Sequence, residues 1–204
     1  MSESKDTFVF TLDDLIYESY KSRINKETVN KKSKKYINYR ENKLENRSKF
    51  IYKFADNISP SYIDRICYSN HNRKKNRLLF VSFTGKQVYD DVVATIIDRK
   101  VMDVKGKVRY IIFMFAILPS LRNKGYGRLS LRKYYDFIQK KNKLTEIILH
   151  SLKTSIEFYK KIGFHQIQTN LFLQKFEGIK DNEEFVLFKF VLGKKKKTLN
   201  ISSI

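Results

Sequence analysis

The sequence predicts an α/β (α+β) fold with a mixed, mostly antiparallel sheet of about seven strands and helices packed against it. The clearest observation is the stretch 109–138, which has the pattern of a strand, a turn and a helix. Tyr110–Leu118 is a nearly unbroken apolar run, typical of a strand that is buried on both faces. Pro119 ends the run, because proline cannot donate to a strand ladder. Helical spacing of apolar residues then begins at Leu131.

The connections between the other apolar runs support this fold class. The runs at 78–83, 92–101 and 108–117 are joined by short links, and strands joined this closely are expected to pair in antiparallel fashion. The run at 144–150 instead follows a helix predicted over 128–140. A crossover of this kind places the second strand parallel to the first. The sheet is therefore predicted to contain one parallel pair, 108–117 with 144–150.

The N-terminal part begins with a short strand over 8–12. Thr11 and Asp14 have the spacing of a helix cap with an acidic third position, which predicts a helix directly after that strand. The assignment of 36–54 stays open between a helix and a strand over 49–54. The remaining predicted elements are a helix over Pro60–Tyr68 and closing strands over 169–176 and 185–192.

Length and composition predict one domain with a sizeable core. The 204 residues contain no apolar run near the ~20 that span a bilayer. The single cysteine, Cys67, excludes a disulfide framework and is expected to fill a helix face. The N-terminus has no secretory pattern, so the predicted location is intracellular, in the cytoplasm, with the nucleus left open because of the Lys-rich tail.

The chain is strongly basic, with 42 Lys and Arg against 21 Asp and Glu and a formal net charge of +21. One interpretation is an anionic partner such as nucleic acid, a phosphorylated substrate or an anionic surface. The other is a compositional bias towards Lys, Asn, Ile and Tyr. Both interpretations remain open at this point. The run of lysines at 31–35 is expected to be a solvated face or loop.

The turn at 122–127 has the composition of an anion-binding loop. Gly125 and Gly127 allow positive φ and a close approach of the backbone to a ligand. Free N–H groups at a helix N-terminus bind phosphate, because the unpaired donors and the helix dipole both favour an anion. No Lys-Ser/Thr pair follows the second glycine, which excludes a Walker loop. A dinucleotide fingerprint would need one more glycine.

The residues from Ile117 to Gly127 fit the pattern strand–Pro–x–x–Arg–x–x–Gly–x–Gly–helix without a gap. This pattern resembles the acetyl-CoA signature of the GNAT family of N-acetyltransferases. A second stretch, Phe158-Tyr-Lys-Lys-Ile-Gly-Phe164, resembles the final helix of these proteins, which bears a Tyr followed by x-x-x-Gly-Phe. The predicted domains are a single GNAT-like domain over 1–192, matched well over 77–192 and poorly over 1–76, and a basic, polar tail over 193–204.

The second stretch also carries local structural signals. Thr154 and Glu157 have the spacing of a capping box, in which each side chain accepts an N–H of the other residue. Gly163 stands where a left-handed residue ends a helix, and Phe164 is expected to pack back on Tyr159.

The resemblance implies that acetyl-CoA is the co-substrate and that its acetyl group passes directly to a primary amine. It further implies that the parallel strands splay apart to admit the pantetheine arm, and that N–H groups of 123–128 hold the pyrophosphate. Lys124 and Arg128 either add charge near the 3′-phosphate or are solvated. The cofactor-binding residues implied are Phe115, Ala116, Ile117, Arg122, Asn123, Lys124, Gly125, Tyr126, Gly127 and Arg128.

Tyr159 matches the position from which a phenol of the family protonates the leaving thiolate, so it is the predicted general acid. A phenol with a pKa near ~10 suits a thiolate near ~8.5. The alternative is a core aromatic at helical spacing. The acid assignment is favoured because Gly163 and Phe164 follow at the family's spacing.

The general base is less clear, because 110–118 contains no carboxylate. His150, at the end of the parallel strand, is the candidate because His titrates near neutrality. A hydrogen-bonded structural His, or water chains serving a distant Asp or Glu, are the alternatives. Leu152 stands where many members of the family place a CoA-contacting Asn. His71 and His165 have no metal-ligand spacing, and no metal is predicted.

The predicted partner is an amine-bearing acceptor that is anionic or linked to nucleic acid, such as an aminoacyl-tRNA, a nucleotide sugar or a ribosome-associated protein. One rival is a non-catalytic GNAT-like domain that binds RNA or DNA through 31–35, 73–77 and 194–197. Another is a CoA-sensing domain without turnover. The oligomeric state is not predicted, and a dimer is left open.

Overall fold

A computed structural model of the chain describes residues 8–45, 49–56, 58–68, 76–83, 91–102, 106–140, 145–167 and 185–192. The described strands are β1 (Phe8–Thr11), β2 (Arg77–Ser82), β3 (Val92–Met102), β4 (Val108–Ile117), β5 (Thr145–Leu152), β6 (His165–Gln166) and β7 (Phe185–Leu192). The described α-helices are α1 (Leu12–Arg23), α2 (Lys34–Glu45), α3 (Lys49–Tyr52), α4 (Pro60–Tyr68), α5 (Tyr126–Gln139) and α6 (Ile156–Lys161). None of these helices is long and apolar enough to cross a membrane.

The strands form a seven-stranded sheet in the order β1-β2-β3-β4-β5-β7-β6. Strands β4 and β5 are parallel, whereas β1–β2, β5–β7 and β6–β7 are antiparallel. The parallel register runs from the pair Val108–Thr145 to the pair Ile112–Leu149. Both strands continue past the last pair, to Ile117 and Leu152. The predicted mixed, mostly antiparallel sheet with one parallel pair is confirmed.

The chain divides into two compact units, and β3 and β4 contribute to both. The N-terminal unit comprises Met1–Ile97 and Phe115–Phe137, and the C-terminal unit comprises Asp98–Met114 and Ile138–Ile204. The strand predicted over 169–176 and the tail predicted over 193–204 lie outside the described residues.

The N-terminal unit is built around α1, which starts with the predicted cap. The Thr11 hydroxyl accepts the Asp14 N–H at 3.2 Å, and Asp14 Oδ2 accepts the Thr11 N–H at 2.9 Å. These two bonds satisfy N–H groups that the helix itself leaves open. The core of this unit contains buried Leu12, Leu15, Ile16, Tyr36, Phe54, Phe80, Val92 and Ala116.

Where the structure describes it, the segment left open between helix and strand contains the end of α2 and the short α3. Ile51 and Phe54 are 0% and 2% exposed and lie three positions apart. Side chains of a strand point to one face at every second position, whereas positions three apart share a helix face. The strand alternative over 49–54 is therefore wrong.

The C-terminal unit packs α6 against β7 through aromatic rings. Tyr159 lies 5.9 Å from Phe188 between ring centroids, and Phe164 lies 5.3 Å from Phe190. Rings at these separations gain stabilisation beyond the area that they bury. This packing holds the helix that carries the predicted general acid.

Candidate active site

The glycine loop, residues 122–128, links the end of β4 to α5 within the N-terminal unit. Pro119 begins a 3₁₀ turn, Pro119–Leu121, and α5 starts at Tyr126. Asn123 and Gly125 have φ of 60° and 81°, in the left-handed region. Gly127 is the second residue of α5 and has no positive φ, so it does not use the conformational freedom that glycine allows. The helix begins two residues earlier than predicted, so Gly127 takes helical dihedral angles.

The loop exposes a row of backbone donors. Within the part of the chain that the structure describes, the N–H groups of 123–128 donate to no protein acceptor. The next N–H, that of Leu129, donates to the Gly125 carbonyl at 3.3 Å. Successive donors in a turn at a helix N-terminus form a concave surface that binds anions. A Cβ added at Gly125 meets no atom within 4 Å, so the space beside it is open.

The Arg122 side chain is bound by the protein instead. Its guanidinium donates to both carboxylate oxygens of Asp56, at 3.0 Å and 2.5 Å. It also donates to the Phe54 carbonyl at 2.9 Å and, through Nε, to the Ile117 carbonyl at 3.2 Å. These bonds join the turn after α3 to the last residue of β4. Arg122 therefore fixes the place where the glycine loop begins.

The other predicted cofactor residues lie on the same stretch of the N-terminal unit. Lys124 is exposed and folds back, with Nζ 2.9 Å from the Ser120 carbonyl. The Tyr126 ring lies 5.6 Å from that of Phe83 between centroids. The half-buried residues are Phe115, Ile117, Gly127 and Arg128, and Ala116 is 9% exposed.

Tyr159 lies on α6 in the C-terminal unit, but the helix does not begin as predicted. A 3₁₀ turn, Lys153–Ser155, precedes it, and Ser155 is the N-cap without a side-chain capping bond. Thr154 is thus one position too early to cap the helix. The Glu157 carboxylate does not reach back to Thr154 but accepts a hydrogen bond from Lys160 Nζ at 3.0 Å. The predicted capping box between Thr154 and Glu157 is wrong.

The other end of α6 is as predicted. Gly163 has φ of 92°. The Phe164 N–H donates to the Tyr159 carbonyl at 3.0 Å, and the Gly163 N–H donates to the Lys160 carbonyl at 3.0 Å. These two bonds define a Schellman ending, and the Phe164 ring packs on Tyr159 at 5.5 Å, as such endings favour. The helix end thereby fixes the position of Tyr159.

The Tyr159 phenol has an apolar, aromatic environment. It is 6% exposed and contacts the rings of Phe158, Phe164 and Phe188. Burial raises the pKa of the Tyr159 phenol well above its ordinary value of 10.0, because the phenolate loses its hydration. The side chain is consequently a neutral hydrogen-bond donor at physiological pH.

His150 is half-buried on β5 and pairs with Leu187 of β7. The strand continues to Leu152, so His150 does not end it, contrary to the prediction. His165 is exposed in β6, and His71 lies outside the described residues. Among the residues that the structure describes, no group of three or more His, Cys, Asp or Glu is placed to hold a metal ion.

Two buried acids in the C-terminal unit were not predicted. Asp98 of β3 is 0% exposed, and Glu146 of β5 is 3% exposed. Glu146 accepts bonds from three cations, at 2.7 Å from Lys107, 2.8 Å from Arg109 and 3.0 Å from Lys189. Burial raises the pKa of Glu146, but the three cations outweigh it and lower the pKa from 4.5 to about 2. The cross-strand pair Arg109–Glu146 follows from the parallel register, which the sequence does not specify.

Comparison with known proteins places this chain in a family. The family model described as acetyltransferase (GNAT) family matches residues 42–164, which is more than half of the chain. The chain therefore belongs to the GNAT acetyltransferase family. The predicted class, an acetyl-CoA-dependent N-acetyltransferase, is confirmed. No curated protein matches the sequence.

Two solved structures resemble the chain in fold. Tetrahymena GCN5 is 17% identical with a TM-score of 0.55, and the match covers 76% of this chain and 90% of that one. The ribosomal-protein-S18-alanine N-acetyltransferase from Escherichia coli is 14% identical with a TM-score of 0.51, and the match covers 95% of this chain and 98% of that one. At these identities the likeness shows the fold alone.

Proposed function

We propose that the protein transfers an acetyl group from acetyl-CoA to a primary amine and that the glycine loop holds the pyrophosphate of the cofactor. One observation carries this proposal: the six consecutive N–H groups of 123–128 have no acceptor in the described structure, beside the open space at Gly125. The first N–H groups of a helix have no partner within the helix, so they can bind a ligand. A row of unpaired donors at the start of a 14-residue helix suits a doubly charged pyrophosphate.

The residues on either side of the loop are proposed to bind the rest of the cofactor. Residues 115–117 lie past the last β4–β5 pair, so their backbone groups are candidates to bond the pantetheine amides as a further strand would. Bound acetyl-CoA supplies an activated acetyl thioester. A backbone N–H near 116–117 is proposed to stabilise the negative charge that develops on the carbonyl oxygen. Lys124 and Arg128 are proposed to attract the 3′-phosphate.

Arg122 is proposed to act as a positioning residue. Its guanidinium is bound by Asp56 and by two carbonyls, so it does not need the cofactor to satisfy its donors. Bidentate guanidinium–carboxylate pairs have a defined geometry. The pair with Asp56 is proposed to hold the first residue of the glycine loop in the conformation that presents the N–H groups.

Tyr159 is proposed to donate a proton or a hydrogen bond to the leaving sulfur. Its phenol stays protonated at neutral pH, because burial raises its pKa. A thiolate has a pKa near ~8.5, so full proton transfer from this phenol is uphill, whereas a strong hydrogen bond is not. The hydroxyl is therefore proposed to stabilise the developing thiolate through a hydrogen bond, and the free thiolate takes up a proton from solvent after it leaves.

The amine must lose its proton before it attacks, because an ammonium has no lone pair. His150 is proposed as the base, since an imidazole titrates near neutrality. Asp98, acting through water, is the alternative that the buried carboxylates suggest. Exchange of His150 for Gln distinguishes the two candidate bases. If His150 is the base, the fall of kcat/KM at acidic pH should disappear in this variant, whereas it should remain if Asp98 is the base.

The acceptor is proposed to be an amine attached to an anionic molecule, and the +21 charge of the chain supports this. The test is release of free CoA thiol from acetyl-CoA with amine acceptors in turn, including peptide N-termini, amino sugar phosphates and aminoacyl-tRNA. Thiol release that requires an amine, with an acetylated product in the mass spectrum, supports the proposal. Nucleic-acid binding without thiol release for any acceptor would support the non-catalytic alternative.

A further inference from the structure

Positive charge is concentrated at the turn between α1 and α2 in the N-terminal unit. Residues 21–35 contain seven Lys and Arg and one acid, Glu27. Six net positive charges thus fall within 15 residues, whereas the whole chain carries 21 in 204. A uniform compositional bias would spread the charge evenly. The sequence has runs of similar density at 73–77 and 194–197, and of the three runs this turn is the one that the structure describes throughout.

Four lysines, Lys31, Lys32, Lys34 and Lys35, form what is called here the lysine turn. All four are exposed. None of them forms an ion pair within the described part of the chain. Two other cations of these helices form ion pairs, Lys21 with Glu18 at 2.7 Å and Arg40 with Asp13 at 2.9 Å. The charge of the lysine turn is therefore not balanced by an acidic side chain of the described residues.

The lysine turn stands at the start of α2, where positive charge is unfavourable. The first turn of α2 has no acidic residue. The positive end of a helix dipole repels a nearby cation. An anion bound at the turn would relieve both this repulsion and that among the lysines.

Local bonds order the backbone of the turn. The Ser33 hydroxyl accepts the Tyr36 N–H at 3.3 Å, and Asn30 Oδ1 accepts the Lys32 N–H at 2.9 Å. The Tyr17 hydroxyl accepts the Val29 N–H at 3.4 Å, and Lys31 Nζ lies 4.2 Å from the centroid of the same ring. The lysines therefore project from a fixed turn, so binding loses less backbone entropy than it would on a flexible segment.

We propose that the lysine turn binds the phosphodiester backbone of single-stranded RNA. A flexible strand can bring successive phosphates to lysines that are clustered on five residues. The neighbouring Tyr17 and Tyr39 rings already carry cations on their faces, so contact is expected through phosphates and without base preference. An anionic membrane is a poorer fit. The apolar side of α1 lies in the core, and the exposed large apolar residues described near the turn are Ile24 and Ile37, at 36% and 39%.

The test is the salt dependence of binding to a fluorescent single-stranded RNA of mixed sequence, for the full chain and a variant with all four lysines changed to Ser. The slope of log K against log salt is about −0.7 per neutralised phosphate, so the variant should lose about 3 units of slope. A control with Lys133, Lys140, Lys153 and Lys161 changed to Ser makes the same change in net charge. Changing the four lysines of the turn to Arg should retain both affinity and slope.

The outcomes separate the proposal from general electrostatics. A loss of slope in the lysine-turn variant, with little change in the control, supports the site. Equal losses in both variants would show that only net charge matters, and no RNA binding by the native chain would overturn the proposal. Loss of binding to phosphatidylserine vesicles with RNA binding unchanged would reassign the turn to membranes. Acetyl-CoA affinity should be the same in every variant, so failure here leaves the proposed acetyl transfer intact.

Discussion

Among single side chains, Tyr159 most directly links the structure to the proposed chemistry. Its ring packs among aromatic residues, and its hydroxyl makes no hydrogen bond within the described structure. A tyrosine needed only for packing could be replaced by phenylalanine without loss. The proposed chemical role therefore rests on the hydroxyl, and exchange of Tyr159 for Phe tests it.

Exchange of Tyr159 for Phe should lower kcat by about 10²–10⁴, because the leaving sulfur loses its donor. The thermal midpoint and the affinity for acetyl-CoA should hardly change, since ring packing is retained. Steady-state kinetics, calorimetry and thermal denaturation measure these three quantities. As a control, Phe164→Leu removes a packing contact of Tyr159 and should lower stability first. An unchanged kcat in Tyr159→Phe would leave the residue as a core aromatic.

The Arg122–Asp56 pair is the second residue-scale feature, and its role is positioning. Asp56→Ala should raise the KM for acetyl-CoA by about 10-fold with a small change in kcat, because the glycine loop is less ordered before the cofactor binds. Asp56→Asn keeps one acceptor for the guanidinium and should recover part of the affinity. Asp13→Ala, which removes an exposed ion pair with Arg40 elsewhere in the N-terminal unit, serves as the matched control. Equal KM values for Asp56→Ala and the native protein would remove the pair from the binding site.

At the scale of secondary structure, the end of α6 determines where Tyr159 stands. Gly163→Ala should lower the free energy of unfolding by about 2 kcal/mol or more, because φ of 92° strains a residue with a Cβ. The added Cβ would also lie 3.2 Å from a Phe190 ring carbon. Gly106→Ala is the matched control, since φ there is 74° but a Cβ meets no atom within 4 Å. Urea denaturation should show a larger loss of unfolding free energy for Gly163→Ala than for Gly106→Ala. Equal losses would mean that the Phe190 ring moves away from the added Cβ without cost.

Glu146 joins three segments of the C-terminal unit, through Lys107 before β4, Arg109 in β4 and Lys189 in β7. Its pKa is lower in the folded state, about 2, than the ordinary 4.5. A carboxylate with a depressed pKa stabilises the fold fully above its unfolded pKa, and this contribution is lost as the pH falls through the folded pKa. Stability should therefore fall between about pH 4.5 and pH 2.

The measurement is urea denaturation across that pH range for the native chain and for Glu146→Gln. The native chain should lose on the order of 3 kcal/mol, at ~1.4 kcal/mol for each unit of pKa shift. Glu146→Gln should be less stable at pH 7, because three cations then lose their shared carboxylate, and its remaining pH dependence should be weaker. Parallel pH curves for the two proteins would show that Glu146 does not supply the acid sensitivity.

Over the whole molecule, sequence signals that act over a few residues predicted more of the fold than signals between distant parts of the chain. The strand–turn–helix stretch and the crossover to β5 follow from apolar periodicity and from connection length, both of which act over a few residues. The Thr11 cap and the Gly163 ending were predicted for the same reason. Thr154–Glu157 fits the capping pattern equally well, but the 3₁₀ turn after β5 shifts the helix start by one residue.

The parts of the site that the sequence did not predict depend on tertiary contacts. Arg122 and Asp56 are 66 residues apart in the chain, so their pairing requires the fold. The three cations meet at Glu146 because of the register of the strands. The apolar pattern shows which face of a strand is buried, but it does not show which residues lie opposite each other on neighbouring strands. The start of α5 was predicted two residues too late, so Gly127 was not expected to lie inside the helix.

The central claim is that the glycine loop binds acetyl-CoA, and calorimetric titration of acetyl-CoA into the native protein and Gly125→Val tests it most directly. Valine resists φ of 81° and places bulk beside the unpaired N–H groups. Gly106→Val, with φ of 74° and equally open space, is the matched control. We expect the native protein and Gly106→Val to bind acetyl-CoA, and a folded Gly125→Val to lose binding. Unchanged affinity in a folded Gly125→Val would contradict the account.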